Sequence, residues 1–445
     1  MGDLIREWAA AHGVDVAEPA RVAAAGADPR DDPCIDFGRL ERRVPAVVLR
    51  PRDTPQLAAT LRLLAEQRIP YKLRGRAHSS GGQVLIEGGA VVDLGGLDRI
   101  VDDDPDRELV TVEGGASWLQ LAEALHARGR RPRRGLIDHL RTSVAGTLAV
   151  GGFADGSHIG GLLAASVRAI TFVTASGDIE RLTPDDELFA YVPCGRGQLG
   201  AIADVTLETE RRAPRLAARL LRWYGIAELV RDAMAIAAGR LYDYMRVRAV
   251  WDPGGRQPRF DATAGTFCDE LPRRDPALAA IAPSLASNLE LVDLLGELRR
   301  DSLEAWDWST AALEIVWPVP DVVELWPEIN ARIVASGVLA HVRRGVGMLV
   351  VPSLPRLPLA PLPASPAGLV LALRPRASRA EALALVPALR ELATWGLARG
   401  AKLYLMGVEQ LAADQLALQW GAALPRLRAL KVELDPHGVC NPGLL

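Results

Sequence analysis

Apolar residues return along this chain in two periods. Between Val44 and Arg134 short apolar runs alternate with stretches in which hydrophobic residues recur at helical spacing. Ala46–Leu49, Ile69–Leu73, Val91–Leu94 and Leu109–Val112 predict strands. Thr54 predicts a cap for a helix over Pro55–Gln67, because proline is tolerated at the first helical position. Trp118–Arg128 predicts a second helix, stopped at Gly129. Beyond a glycine-rich belt from Gly135 to Gly161, Ala169–Thr174, the Ser176-Gly177-Asp178 turn and Ile179–Leu182 predict a β-hairpin, followed by a strand over Ala201–Glu208. Strands and helices in this mixed order predict an α+β fold rather than a doubly wound sheet.

Composition shifts near Arg211–Arg215. From there to Gly400 the chain holds most of its tryptophans, a helical pattern over Leu285–Arg300, and a proline-rich stretch, Pro352–Pro366, between the strand-like runs Gly347–Val351 and Gly368–Leu373. Ala401–Leu445 returns to a strand, helix and turn pattern. At 445 residues two or three domains are expected, and 49% apolar with 24% charged residues is ordinary for a globular chain. A net charge of −3 with interspersed signs argues against a nucleic-acid partner. Cys34, Cys194, Cys268 and Cys440 lack metal-ligand spacing, so neither zinc nor a disulfide framework is expected. Asp3, Arg6 and Glu7 interrupt the first apolar residues, and no uncharged run reaches a membrane span. A cytoplasmic protein with no membrane partner is the expectation; the oligomeric state is left open.

The stretch Arg74-Gly75-Arg76-Ala77-His78-Ser79-Ser80-Gly81-Gly82-Gln83 carries the most chemistry. A tight small-residue loop after a strand lets backbone N–H groups close on an anion. The two arginines would balance negative charge, and the histidine stands where the loop turns. Such a loop suits a dinucleotide diphosphate, although Gly/Ser turns with a chance histidine are also common at surfaces.

Taken in order, these segments resemble the vanillyl-alcohol-oxidase type of FAD-dependent oxidoreductase. Arg-Gly-x-x-His-Ser-x-x-Gly-Gln around His78 is similar to the loop whose histidine carries covalent FAD in many members. Val112–Trp118 resembles the turn that follows, and Gly197-Gln198-Leu199-Gly200-Ala201-Ile202 the segment beside the adenine end. Within that family the likeness is to cytokinin dehydrogenases: Asp138-His139-Leu140-Arg141-Thr142-Ser143-Val144-Ala145-Gly146-Thr147-Leu148-Ala149 aligns without gaps to their Asp-Tyr-Leu-x-x-Thr-Val-Gly-Gly-Thr-Leu-Ser. Lys402–Leu405 and Leu430–Pro436 resemble their closing segment. Ala77 stands where the covalent members carry glycine, and His139 where the dehydrogenases carry tyrosine.

The resemblance implies a discontinuous PCMH-type FAD-binding domain (1–212 and 401–445) enclosing a substrate domain (213–400) with an antiparallel sheet flanked by helices. It implies FAD as cofactor, linked through His78 or held without a bond. Contacts to it are expected from Arg74, Gly75, Arg76, Ala77, His78, Ser79, Gln83, Asp138, Ser143, Gly146, Thr147, Ala149, Gly151, Gly152, Phe153, Gly200 and Ile202. Tyr404 and Asn441 would reach the polar edge of the flavin ring. Asp138 is the expected general base, provided burial raises its pKa toward the working pH; pairing with Arg133, Arg134 or Arg141 is the competing role. His139, His158, Trp306, Trp308, Trp317 and Trp326 read as structural. The implied partners are a small-molecule substrate and oxygen or a quinone-type acceptor. Amine C–N oxidation of the cytokinin-dehydrogenase kind is expected, with a natural-product tailoring oxidase or a non-catalytic flavin-binding protein as alternatives.

Overall fold

The computed structural model describes residues 2–17, 32–252, 254, 257–302, 306–352 and 357–445. The first sheet is built from β1 (Asp15–Ala17), β2 (Val47–Arg50), β3 (Tyr71–Arg74) and β4 (Ala90–Asp93), in spatial order β1-β2-β4-β3, with β4 parallel to both β2 and β3. The crossover from β2 to β3 is the helix Thr54–Glu66. Its cap is Asp53, not the expected Thr54: the carboxylate accepts from Gln56 N–H at 2.8 Å, and Thr54 begins the helix with proline behind it. Leu57, Leu61 and Leu64 on its inner face are buried against Val47, Leu49 and Val92.

The second sheet takes β5 (Ile100–Asp104), β6 (Leu109–Glu113), β7 (Arg130–Pro132), β8 (Val167–Thr174), β9 (Ile179–Leu182) and β10 (Gly200–Arg211). Its order is β5-β6-β10-β8-β9, antiparallel throughout, with β7 on the far end of β10. The expected hairpin is β8–β9, and the helix Trp118–His126 is closed by a Ser117/Gln120 capping box.

The third sheet begins with β11 (Arg215–Trp223), at the composition shift. It continues through β12 (Tyr244–Val250), β13 (Arg259–Cys268), β14 (Leu285–Ala286), β15 (Glu290–Val292), β16 (Leu313–Pro318), β17 (Val346–Pro352), β18 (Ala367–Leu373) and β19 (Lys402–Leu403). The order is β14-β11-β13-β12-β17-β18-β16-β19, with β15 also on β11. The helical pattern over Leu285–Arg300 is therefore only partly realised: the helix spans Leu294–Ser302, and the residues before it pair with the open edge of β11. An unpaired strand edge offers hydrogen bonds that override weak local preference. Part of the proline-rich stretch, 353–356, lies outside the described residues.

Strand alternation gives this sheet two unlike faces. Leu313, Ile315, Trp317, Leu369, Leu371 and Leu373 join the main core, against the helices Val319–Ala335 and Arg379–Leu397. Trp317 and Trp326 are core, as expected. The residues between them on β16 and β18, including Glu314, Val370 and Ala372, face a cavity instead. All four cysteines are free thiols. No described helix is long and apolar enough to cross a membrane.

Candidate active site

A single cavity of about 850 Å³ runs from the loop after β3 to the open face of the third sheet. That loop is strapped on both sides. Phe37 N–H donates to the Ala77 carbonyl at 2.8 Å and Gly82 N–H to the Asp36 carboxylate at 2.8 Å. Ser80 N–H donates to the Met406 carbonyl at 2.9 Å and Gln83 Nε2 to the Gly407 carbonyl at 2.7 Å. The strapping leaves the backbone N–H groups of Gly75, Ala77 and Ser79 with no acceptor among the described residues, all three at the cavity wall. Ala77 has φ +55°, the left-handed region that favours glycine, at a cost of about 1–2 kcal/mol for a residue with a Cβ. Gly75 is required by close approach: a Cβ there would lie 2.1 Å from Ser143 Oγ. The second segment is thus locked onto the first, and Ser143 in turn caps the short helix Val144–Leu148.

Of the residues expected to touch the cofactor, all line this cavity except Arg74, Gly151 and Gly152. Arg74 is buried elsewhere, donating to the Ile35 and Asp32 carbonyls at 3.1 and 2.9 Å. Its guanidinium is drawn to these carbonyls at the end of β3 and ties down the segment before β2. Gly151 and Gly152 have φ +107° and +72° and turn the chain behind the wall, where the Gly152 backbone meets the Tyr404 hydroxyl. Two further roles differ from expectation. The Thr147 hydroxyl is engaged by the Trp118 indole and the Ser143 carbonyl, both at 2.9 Å. The Asn441 amide accepts from Leu73 N–H at 2.9 Å and donates to the Gly197 carbonyl at 2.8 Å, so it clasps β3 to the Gly197 turn.

His78 stands in an aromatic nest. Its ring stacks on Phe37 at 5.0 Å and meets Trp306 edge-on at 4.7 Å, with His139 5.8 Å away. Trp306 and Trp308 are therefore site residues as much as core, Trp308 lining the cavity itself. His158 is structural as expected, held between the Asp155 and Tyr242 carbonyls at 3.1 and 2.9 Å. His139 is not: its ring makes no hydrogen bond among the described residues and borders the cavity. Burial, with Arg374 beside it, lowers its pKa to about 4, so it is neutral at pH 7.

Asp138 projects into the same space, nearly half its side chain open to the cavity. It is ion-paired with Arg246 and lies 3.9 Å from Arg374, and none of the nearby Arg133, Arg134 or Arg141 is its partner. Burial pushes its pKa up, but Arg246, Arg374, His139 and Arg248 outweigh that and hold it at about 2. The condition that burial should raise this carboxyl is not met, because the arginines come from strands distant in sequence. Arg374 also pairs with buried Glu314 at 2.6 Å. Above them Tyr404 packs on Phe153 at 4.9 Å, its hydroxyl pKa raised by burial and by Glu314.

Buried polar atoms of cavity-lining residues without a hydrogen-bond partner among the described residues include Asp155 Oδ2, Gln198 Oε1, Thr310 Oγ1 and Glu409 Oε2. Burial raises the Glu409 carboxyl to about 7 against the pull of Arg196. Lys72 and Arg43 line the same end, and burial followed by repulsion from Arg196 lowers the Lys72 pKa to about 8. Open N–H groups, gathered cations and orphaned acceptors suit a long ligand with a diphosphate and polar ring edges, as FAD is. Sequence reasoning missed Phe37, Thr310, Glu409 and the arginines of the third sheet. The one available signal was the repeated Arg-x-Arg at 246/248 and 374/376: the first pair shares a face of β12, and the second follows directly on β18.

Residues 45–183 match the family model described as FAD binding domain. Over 92% of its length the chain is 24% identical to the "uncharacterized oxidoreductase ORF5 in fasciation locus" of Rhodococcoides fascians, covering 95% of that protein. It is 30% identical to cytokinin dehydrogenase 10 of Oryza sativa subsp. japonica over 43% of this chain and 36% of the relative. Among solved structures, 6-hydroxy-D-nicotine oxidase from Arthrobacter nicotinovorans superposes with a TM-score of 0.69 at 19% identity, covering 96% of both chains. Fold and site define a flavin-binding oxidoreductase. The chain carries an FAD binding domain over residues 45–183 and is similar to oxidoreductases, cytokinin dehydrogenases among them.

Proposed function

We propose that this enzyme oxidises a small organic amine at the carbon–nitrogen bond, with Asp138 accepting the proton. Residues 1–212 and 401–445 form the flavin-binding portion in this reading, and 213–400 the substrate portion. FAD held between them supplies the two-electron acceptor for the hydride that leaves the substrate carbon. The observation that carries the reading is the Asp138 carboxylate, an anion open to the cavity beside the His78 nest. Arg246 keeps it ionised and in one orientation, at the expense of basicity. Proton transfer becomes far less unfavourable as the C–H electron pair departs, because the N–H of the forming iminium is much more acidic than that of the amine, and hydrolysis of the imine draws it forward. Loss of that proton leaves an imine, which water converts to an amine and a carbonyl compound. The kinship with cytokinin dehydrogenases supports an N-alkyl amine.

One observation favours a second reading, oxidation of an alcohol: neutral His139 stands beside Asp138 and could take a hydroxyl proton. Anaerobic mixing of the holoenzyme with matched N-alkyl amines and alcohols separates the two. Bleaching of the flavin band by amines, slowed by about 10²–10⁴ in Asp138→Asn, is expected. Bleaching by alcohols alone transfers the reading to the second; bleaching by neither removes both. Reoxidation in air or by a soluble quinone then identifies the electron acceptor. We further propose that His78 carries the flavin covalently, since its ring borders the cavity in an orientation set by Phe37 and Trp306.

A further inference from the structure

The charge of the cavity is out of keeping with that of the chain. Nine arginines and one lysine line it against five carboxylates, whereas the whole chain carries −3. Arg43, Lys72, Arg76 and Arg196 gather at one end, where they would balance the two negative charges of the FAD diphosphate. The other end stays positive. At this end Arg246, Arg248, Arg343, Arg344, Arg374 and Arg376 meet four carboxylates, Asp138, Asp155, Glu314 and Asp301, and Asp155 is already paired with Arg131. Arg246 takes Asp138, Arg374 takes Glu314, and Arg344 takes Asp301 at 2.9 Å. The Arg376 guanidinium lies over the Trp308 ring at 4.7 Å.

Arg248 has no hydrogen bond or ion pair among the described residues, although it is half-buried. Burial lowers its pKa and its neighbour Arg246 lowers it further, against the weaker pull of Asp138, which is already taken by Arg246. An unpaired guanidinium held out of bulk water next to another arginine is destabilising and contributes no packing contact that an apolar side chain could not make. Such a group is kept where a ligand completes it. The register shows what lies beside it: Arg248 faces Gly347 across the ladder, Gly347 faces Ala372, and Ala372 faces Glu314. Two of the smallest side chains thus make a flat floor between Arg248 and the Glu314–Arg374 pair, the right shape for a planar molecular body. Arg343 and Arg344 are exposed at the mouth on the Arg248 side. Along β12, Arg248 is about 7 Å from Arg246, which holds Asp138.

We propose that the substrate is a planar amine or alcohol bearing an anionic group, a carboxylate or a phosphate, which Arg248 binds together with Arg343 and Arg344 while the oxidisable carbon lies toward Asp138. The proposal rests on the oxidoreductase reading above. Arginine suits the task, since its planar fork grips either oxyanion through two parallel hydrogen bonds.

The test titrates the oxidised holoenzyme with benzoate, with phenyl phosphate and with neutral benzyl alcohol, following perturbation of the flavin absorption band. Saturable perturbation by one or both anions, weaker at high KCl and absent for the neutral analogue, is expected. Benzoate alone assigns a carboxylate, phenyl phosphate alone a phosphate. Arg248→Gln should weaken the effective anion by at least about tenfold while Arg248→Lys recovers part of it. Should Arg248→Gln lose flavin, the exposed Arg343→Gln/Arg344→Gln pair gives the same readout with a smaller loss. Anions that leave the band unchanged, or bind wild type and variants equally, overturn the proposal. The outcome is separable from that of the parent reading: neutral amines that bleach the flavin with no anion binding sink only the substrate class. Anion binding with no compound able to bleach the flavin sinks only the turnover.

Discussion

At the residue scale the proposed reading gives His78 the cofactor attachment and Asp138 the proton transfer, and each makes a separate prediction. His78 is oriented by stacking on Phe37 and by Trp306, not by sequence neighbours. Acid precipitation of the purified protein should leave yellow flavin in the pellet, and His78→Ala should release it to the supernatant. Colour released from wild type would make His78 a non-covalent contact. The pH dependence follows from the direction of two shifts. Asp138 is held down at about 2 by Arg246 and its neighbours against burial, so the proton acceptor is ionised at all ordinary pH values. Burial and Arg374 lower His139 to about 4, so it is neutral over the same range. With a substrate that does not itself titrate, the rate of flavin reduction should show no acid limb between about pH 5 and 8, the window in which an ordinary histidine would act. An inflection near 6.5 that vanishes in His139→Asn would show the imidazole titrating at its usual value.

At the element scale the cofactor cradle depends on two loops interlocked where neither tolerates bulk. The loop after β3 contacts the Ser143 cap at Gly75, and a methyl group there would sit 2.1 Å from Ser143 Oγ. Gly75→Ala should separate the two segments and lower flavin retention at least about tenfold, by equilibrium dialysis, with most of the fold intact. Adding Ser143→Ala should recover only part, since Ser143 Cβ would still be 3.1 Å away and the helix Val144–Leu148 would lose its cap, worth about 1 kcal/mol. Full retention in the single variant would show that the loops part freely. Elements also explain the misreading of Leu285–Arg300: apolar residues at helical spacing could not reveal that β11 leaves an edge to which Leu285–Ala286 and Glu290–Val292 would pair.

At the scale of the whole molecule, the last residues close the first sheet and the cavity together. Cys440 bridges to Tyr71 beside β3, and Asn441 joins Leu73 to the Gly197 turn. Lys431 donates to the Gln198 and Cys440 carbonyls at 2.7 and 2.6 Å from the preceding helix. Asn441→Ala removes the amide's bonds to Leu73, Gly197 and Arg196 at a residue with φ +45°, and roughly 2–4 kcal/mol of stability should go with them. Thermal unfolding should show a lower Tm and faster FAD release; an unchanged Tm would make the clasp incidental.

Local chemistry was legible in the sequence wherever it is continuous in the chain. The glycine-rich loop around His78, the Asp138–Ala149 stretch, the β8–β9 hairpin and the Asn441 turn each carry their pattern within a dozen residues, because turns, caps and close approaches are set by neighbours. Arg74 shows the limit even there: it stands in the right motif, yet the Ile35 and Asp32 carbonyls, distant in sequence, hold it away from the cavity. What only the tertiary structure decided is the electrostatic character of the site. Arg246, Arg248, Arg343, Arg344, Arg374 and Arg376 come from separate strands and loops, and Glu314 and Glu409 from others still. Their charges act through space, so the depressed Asp138, the neutral His139 and the unpartnered Arg248 exist only once the strand order β12-β17-β18-β16 has brought them onto one face.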